Sequence, residues 1–200
     1  QPNTRGQKNF PPEVKTVNMI HTTRTSSRRH ECAYKDTRDI EPIIPTPNHW
    51  MSCSITFDRL DGQTSIRREG SNALVLDPII NGYHLTHVLM DGGSSLNYED
   101  TVCRMGIDSS RISKINTTFE GVIPGVEAYS RGSVILEVTF GSPGNSRSEE
   151  LVFIIAHFQS RYQALLGRTA FARFNTLPHY GYLTLKIPGP RGIITVSGIT

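Results

Sequence analysis

Apolar residues beyond about residue 70 occur in short runs that Gly and Pro separate. The runs are four to eight residues long and rich in β-branched and aromatic types, a pattern typical of strands. The predicted strands cover residues 73–76, 83–90, 133–140, 151–158, 182–187 and 193–196. We therefore expect an all-β domain.

Two stretches between these strands have the character of short helices. Residues 98–105 end at Gly106, and residues 169–174 follow a glycine. The Pro-Gly-Pro-Arg-Gly segment at residues 188–192 predicts a hairpin between the last two strands. Many short strands with one or two short helices favour a closed or partly closed barrel.

The first 60 residues have a different composition, which is rich in Pro, Ser, Thr and Arg and shows no periodicity. We interpret residues 1–60 as a linker or largely disordered arm that precedes a domain at residues 61–200. Residues 1–40 carry eight Lys and Arg against four Asp and Glu, whereas the remainder carries thirteen against fourteen. The basic character therefore belongs to the arm. A weak contact of the arm with RNA or DNA is one interpretation, but the basic run is short and has no interleaved aromatic platform, so a solvated linker is favoured.

The composition argues against several function classes. No run approaches the ~18 apolar residues of a membrane span, and the N-terminal residues lack the apolar core of a signal peptide. Three scattered cysteines indicate a reducing compartment. His30, Cys32, His49 and Cys53 lack the close pairs of a zinc site, so we expect no metal and no cofactor. Because the chain does not begin with Met, we expect a fragment of a longer protein.

One locus carries candidate chemistry. An apolar strand runs directly into Asp91, and the next three residues are Gly92, Gly93 and Ser94. Two glycines allow the backbone to turn sharply at the strand end. When a second carboxylate lies beside such an acid, the pair shares one proton, so one group can act as base on a water while the other acts as acid. From these residues alone, an ordinary β-turn with a polar cap is favoured.

Further segments extend this locus into an ordered series at residues 55–58, 74–80, 88–97, 104–107, 121–125, 138–141, 165–168 and 178–190. In this order and spacing, residues 50–198 resemble the retropepsin-like aspartic protease domain of plant Ty3/gypsy-type retrotransposon Gag-Pol polyproteins. The resemblance implies a closed acid-protease barrel and an aspartic endopeptidase that hydrolyses peptide bonds of its polyprotein. It also implies a location inside the cell, with virus-like particles as a candidate site.

The resemblance assigns roles position by position. Asp91 is the expected catalytic residue, and its active-site turn is formed by Gly92, Gly93 and Ser94. The expected flap over the peptide substrate is formed by Val122, Ile123, Pro124 and Gly125. The expected support beneath the turn is formed by Leu165, Leu166 and Gly167. The chain contains one Asp-Gly-Gly sequence, so a second carboxylate has to come from another copy in a homodimer, and residues 193–196 would help to form its dimer sheet.

Two alternatives remain open at this stage. Active relatives commonly have Ser or Thr where this chain has Gly92, and they place two apolar residues between Asn97 and Tyr98 where this chain has none. A catalytically inactive dimerisation module of a decayed retroelement is therefore the first alternative. A nucleic-acid-associated polyprotein segment that acts through its basic arm is the second.

Other candidate residues were assigned structural roles. Ser94 does not lie in a G-x-S-x-G nucleophile elbow. His157 and His179 occur among apolar residues and are expected to be structural, and Cys103 is expected to lie in the core. Asp61, Asp77 and Asp108 are expected to be turn and cap residues.

Overall fold

The computed structural model describes residues 15–17, 53–62, 72–93, 95–115, 118–120, 127–157 and 160–199. Within these ranges the chain forms thirteen β-strands, two α-helices and two short 3-10 turns. The strands are β1 (Lys15–Val17), β2 (Val75–Leu76), β3 (Ile79–Ile80), β4 (Tyr83–Leu85), β5 (Val88–Met90), β6 (Leu96–Tyr98), β7 (Thr118–Glu120), β8 (Glu127–Ser142), β9 (Asn145–Ala156), β10 (Ala164–Leu166), β11 (Leu177–His179), β12 (Thr184–Gly189) and β13 (Gly192–Ser197). The helices are α1 (Glu99–Arg104) and α2 (Arg168–Phe174).

Most of these strands belong to one mixed sheet. Its order is β1-β4-β3-β8-β9-β6-β10-β5-β2, and β7 pairs with β8. The expected all-β architecture with short helices is confirmed, and the order of the described strands is an open path from β1 to β2. Strand β1 lies within the predicted arm and pairs in parallel with β4.

A second sheet contains β11, β12 and β13 in that order. Gly189 lies opposite Gly192 in the β12–β13 pair, so Pro190 and Arg191 form the connecting loop. This confirms the predicted hairpin. Gly192 has a positive φ of 108°, a conformation that glycine adopts without the steric cost of a Cβ atom.

The core lies where alternate residues of the long β8–β9 hairpin meet the second sheet and the two helices. Val134, Leu136, Val138 and Phe140 are at most 3% exposed, whereas Ile135 is 55% exposed and Glu137 is half-buried. Phe140 packs edge-on against Phe174 of α2, with ring centroids 5.2 Å apart. The hairpin therefore anchors α2 on the same core that holds the central strands.

The predicted single strand at residues 83–90 is wrong in one respect, because it is divided into β4 and β5. The backbone N–H groups of Thr86 and His87 both donate to Oε1 of Gln163, at 2.8 and 2.9 Å. Gln163 is 2% exposed. A buried side-chain amide thus takes the place of a neighbouring strand and interrupts the ladder.

Helix α1 is one residue shorter at each end than predicted, and a residue predicted to lie in the core is exposed. It begins at Glu99, directly after β6, so the short connection after Asn97 is accommodated by a helix that starts at once. Val102 and Met105 are buried, as residues three apart on one helical face should be. Cys103 lies off that face and is exposed, so its placement in the core is wrong.

Candidate active site

Asp91 follows a strand that has neighbours on both sides. Strand β5 pairs antiparallel with β2 and parallel with β10. Val88 and Met90 are buried at 0% and 3% exposure, and Asp91 itself is half-buried. Its N–H group donates to the carbonyl of Leu166 at 2.9 Å. The backbone that carries the carboxyl group is therefore fixed on the rest of the sheet.

The turn after Asp91 is bonded to the start of α2. The N–H group of Arg168 donates to the carbonyl of Gly93 at 2.8 Å, and the N–H group of Gly167 donates to Oγ of Ser95 at 3.1 Å. The carbonyl of Ser95 accepts a further bond from the N–H group of Ile154 in β9, also at 3.1 Å. The turn is thus held from two directions.

The predicted support segment lies beside this turn. In the parallel β5–β10 pair, Leu165 is opposite Leu89 and Leu166 is opposite Met90. Leu166 is fully buried in the main core, whereas Leu165 packs in a smaller cluster on the other face of the sheet with Ile154. The structure therefore brings Asp91 and residues 165–167 together, and their catalytic roles remain predictions.

Several predicted site residues lie outside the described residues: Ser94, Val122, Ile123, Pro124 and Gly125. The strands that flank the predicted flap are described. In the antiparallel β7–β8 pair, Glu120 lies opposite Glu127. The β7–β8 pair therefore ends at the segment that the sequence assigns to the flap.

Tyr180 lies within electrostatic range of Asp91, and the sequence assigned it no role in the site. It lies on the turn between β11 and β12 and is 44% exposed. Burial raises the pKa of its phenol, and the negative charge of Asp91 raises that pKa further. No local pattern could have indicated this, because the two residues are distant in sequence.

The other candidate carboxylates have partners of their own, as expected for turn and cap residues. Asp108 accepts the N–H group of Ser110 at 2.8 Å at the start of a 3-10 turn. Asp61 forms an ion pair with Lys186, with 2.7 Å between Oδ1 and Nζ. Asp77 lies 3.4 Å from the ring of His84.

The two histidines have different surroundings. His179 stacks on Tyr182 with ring centroids 3.9 Å apart, and its Nδ1 accepts the N–H group of Tyr182, which confirms a structural role. His157 contacts the carboxylate of Glu99, and its side chain is 70% exposed. It follows the last residue of β9, Ala156, and lies outside the core, and its structural role stays a prediction.

The described ranges contain neither a candidate metal cluster nor a helix that could span a membrane. There, no group of three or more His, Cys, Asp and Glu side chains is placed to hold a metal ion. No helix of the described chain is long and apolar enough to cross a membrane.

Known proteins give a match at the level of structure. The chain resembles the crystal structure of the retroviral protease-like domain of Ddi1 from Leishmania major, with a TM-score of 0.50 and 16% sequence identity. The match covers 64% of this chain and 95% of that one. No protein-family model matches the chain, and no curated protein sequence does. The chain therefore has a mostly β, retroviral protease-like fold.

Proposed function

We propose that this chain is an aspartic endopeptidase whose active unit is a homodimer. The observation that carries the proposal is the position of Asp91. It is half-buried at the end of a strand that is paired on both sides, in a turn bonded to the start of α2, within a retroviral protease-like fold. The backbone that carries this carboxyl group is therefore held in place before substrate binds, and catalysis by positioned groups requires such support.

The proposed reaction needs two carboxyl groups that share one proton. The ionised group takes a proton from a water molecule, and the resulting hydroxide attacks the carbonyl carbon of the peptide bond. The protonated group donates its proton to the carbonyl oxygen. The tetrahedral diol collapses when the first group gives its proton to the leaving nitrogen, the C–N bond breaks, and the second group takes a proton from one diol hydroxyl, so each group alternates between acid and base.

A second copy of the chain supplies the second carboxyl group. The sequence contains one Asp-Gly-Gly turn, and Asp61, Asp77 and Asp108 are engaged elsewhere. A two-fold axis through the turn would place Asp91 beside the partner subunit's Asp91, in an interface that uses the same surface on both copies.

The proposed substrate is a peptide segment of the polyprotein that contains this domain, and we assign that polyprotein to a plant Ty3/gypsy-type retrotransposon. This assignment rests on the ordered segments from residue 55 to residue 190. Residues 122–125 would cover the bound peptide and exclude water, as mobile hairpins over active sites do.

The test compares the unmodified chain with Asp91→Asn on its own upstream and downstream polyprotein segments. We expect cleavage with an optimum at acid pH, inhibition by a pepstatin-type compound, and a loss of about 10²–10⁴-fold in Asp91→Asn. Asp108→Asn is the matched control, because it makes the same change at an exposed helical cap. Sedimentation should show the same dimer for all three proteins.

Other outcomes would select an alternative. A dimer without cleavage between about pH 3 and 7 would leave the non-catalytic dimerisation module. Salt-dependent RNA or DNA binding that disappears when residues 1–40 are deleted would support the basic-arm function. Cleavage that persists in Asp91→Asn would refute the assignment of the catalytic residue.

A further inference from the structure

Ser95 is a buried hydroxyl residue on the active-site turn. It is 3% exposed, its Oγ accepts the N–H group of Gly167 at 3.1 Å, and the same oxygen lies 2.9 Å from Oγ1 of Thr169. A serine hydroxyl can accept and donate at the same time. A hydrogen-bonded chain can therefore run from the amide of Gly167 through Ser95 to Thr169.

The other bonds between this turn and residues 166–168 join backbone groups. They run from Asp91 N–H to Leu166 O at 2.9 Å and from Arg168 N–H to Gly93 O at 2.8 Å. Gly92 has no side chain with which to contribute. Among the described residues of the turn, Ser95 is thus the one whose side chain is hydrogen-bonded to the start of α2.

We propose that the Ser95–Thr169 hydroxyl bridge positions Asp91 by locking the active-site turn onto the start of α2. Ser95 is a positioning residue and does not touch the reacting atoms. The catalytic consequence rests on the proposed function, whereas the lock itself is a property of the fold.

The two members of the bridge contribute unequally. Gly167 is buried, so Ser95→Ala leaves its N–H group without an acceptor, and an unmade bond of a buried donor is costly. Thr169 is exposed, so water can replace its hydroxyl when it is removed. Ser95→Ala should therefore loosen the turn more than Thr169→Val does.

Amide hydrogen exchange measures the lock without any need for activity. The informative amides are those of Asp91 and Arg168, because both donate to backbone carbonyls that the substitution leaves in place. In Ser95→Ala we expect their exchange to accelerate by about tenfold or more, which corresponds to about 1.4 kcal/mol. In Thr169→Val we expect exchange at these two amides to accelerate about threefold. In Thr169→Ser we expect no change, because the hydroxyl is kept.

The chain offers a matched control at a second hydroxyl pair. Oγ of Ser148 lies 2.7 Å from Oγ1 of Thr139, across the β8–β9 hairpin. Ser148→Ala removes one hydroxyl of that pair and should accelerate exchange in the hairpin, with Asp91 and Arg168 unchanged. Acceleration of Asp91 and Arg168 by both Ser→Ala variants alike would show a general loss of stability and would overturn the proposal.

The catalytic readout is the split between kcat and KM. Ser95→Ala should lower kcat about tenfold and leave KM within about twofold, because a displaced carboxyl group weakens the transition state and not peptide binding. Equal exchange at Asp91 and Arg168 in Ser95→Ala and the unmodified chain would overturn the lock. If Ser95→Ala does not fold, equal amide exchange of Asp91 and Arg168 in Thr169→Val and Thr169→Ser would overturn the lock. An unmodified chain that shows the lock and cleaves nothing would refute the proposed function alone.

Discussion

Replacement of Arg147 by Leu should be one of the most destabilising changes outside the site. Arg147 lies in β9, is 5% exposed, and donates through Nη1 to the carbonyls of Phe174 at 2.6 Å and Pro188 at 3.3 Å. Its Nε and Nη2 atoms donate to Oε1 of Glu149, and Nη2 also donates to the carbonyl of Arg173. One guanidinium thus satisfies the last carbonyls of α2 and joins them to β12.

The magnitude follows from what the substitution leaves behind. Burial lowers the pKa of Arg147, and the carboxylate of Glu149 partly offsets this, so the charge is tolerated because of its partners. Without the guanidinium, the carboxylate of Glu149, whose side chain is 18% exposed, has lost its cation, and carbonyls at the end of α2 have lost their donor. Removal of one partner of a buried pair costs about 3–5 kcal/mol. This is at least about a fifth of the ~5–15 kcal/mol that stabilises a typical domain.

Equilibrium unfolding in urea measures the effect, with Arg104→Leu as the control. Arg104 occupies the last turn of α1, is exposed, and should change the free energy of unfolding by less than about 0.5 kcal/mol. The double variant Arg147→Leu/Glu149→Leu should be more stable than Arg147→Leu, because it no longer leaves an unpaired carboxylate. The reasoning is refuted if Arg147→Leu lies within about 1 kcal/mol of the unmodified chain, or if the double variant is less stable than the single one.

Three other substitutions test separate contacts. The hydrogen bond from Lys186 lowers the pKa of Asp61 below 3.8, so Asp61 stabilises the folded state above about pH 4 and loses this effect as the pH falls through the folded-state pKa. Unfolding midpoints of Asp61→Asn and the unmodified chain should therefore differ at about pH 7 and converge in acid, and equal midpoints at neutral pH would contradict this. A Cβ atom on Gly92 meets no atom within 4 Å and its φ is not positive, so Gly92→Thr should fold normally. Its hydroxyl at the proposed two-fold axis should lower the dimer Kd about fivefold by sedimentation, and an unchanged Kd would argue against that axis. Gln163→Leu removes the acceptor of two backbone N–H groups and should cost about 2–4 kcal/mol in urea unfolding. Gln163→Glu keeps an acceptor, so an equal loss of the free energy of unfolding in both variants would refute this account.

Local pattern predicted the long strands because they contain short apolar runs rich in β-branched and aromatic residues. It placed them at residues 133–140 and 151–158, whereas β8 and β9 cover Glu127–Ser142 and Asn145–Ala156. At the turn end of the hairpin, the strands extend over polar residues such as Arg147, which has hydrogen-bond partners in α2 and β12. When the hydrogen-bond partners of a polar strand residue are distant in sequence, a search for apolar runs does not find that residue.

For the candidate site as well, local features were predicted and long-range contacts were not. The sequence indicated Asp91 and the glycines after it, since a strand that runs into Asp-Gly-Gly is a local feature. It did not indicate that Ser95 meets Thr169, because the two are separated by 74 positions, nor that the charge of Asp91 reaches Tyr180. Local composition also misplaced Cys103, which follows the buried Val102 on a helix and yet faces solvent.

The parallel pairing of β5 with β10 has a consequence for how activity and stability are related. Parallel neighbours need a long crossover, and here the connection contains α1 and the whole β8–β9 hairpin. The turn of Asp91 is complete only when residues 166–169 have reached it, so its geometry depends on the packing of the entire domain. Substitutions in the hairpin, such as Arg147→Leu, should therefore lower activity through the population of folded protein while Asp91 is unchanged. A retained Asp-Gly-Gly sequence is thus necessary for the proposed hydrolysis but insufficient for it, because the position of the carboxyl group is set by contacts that the motif does not contain.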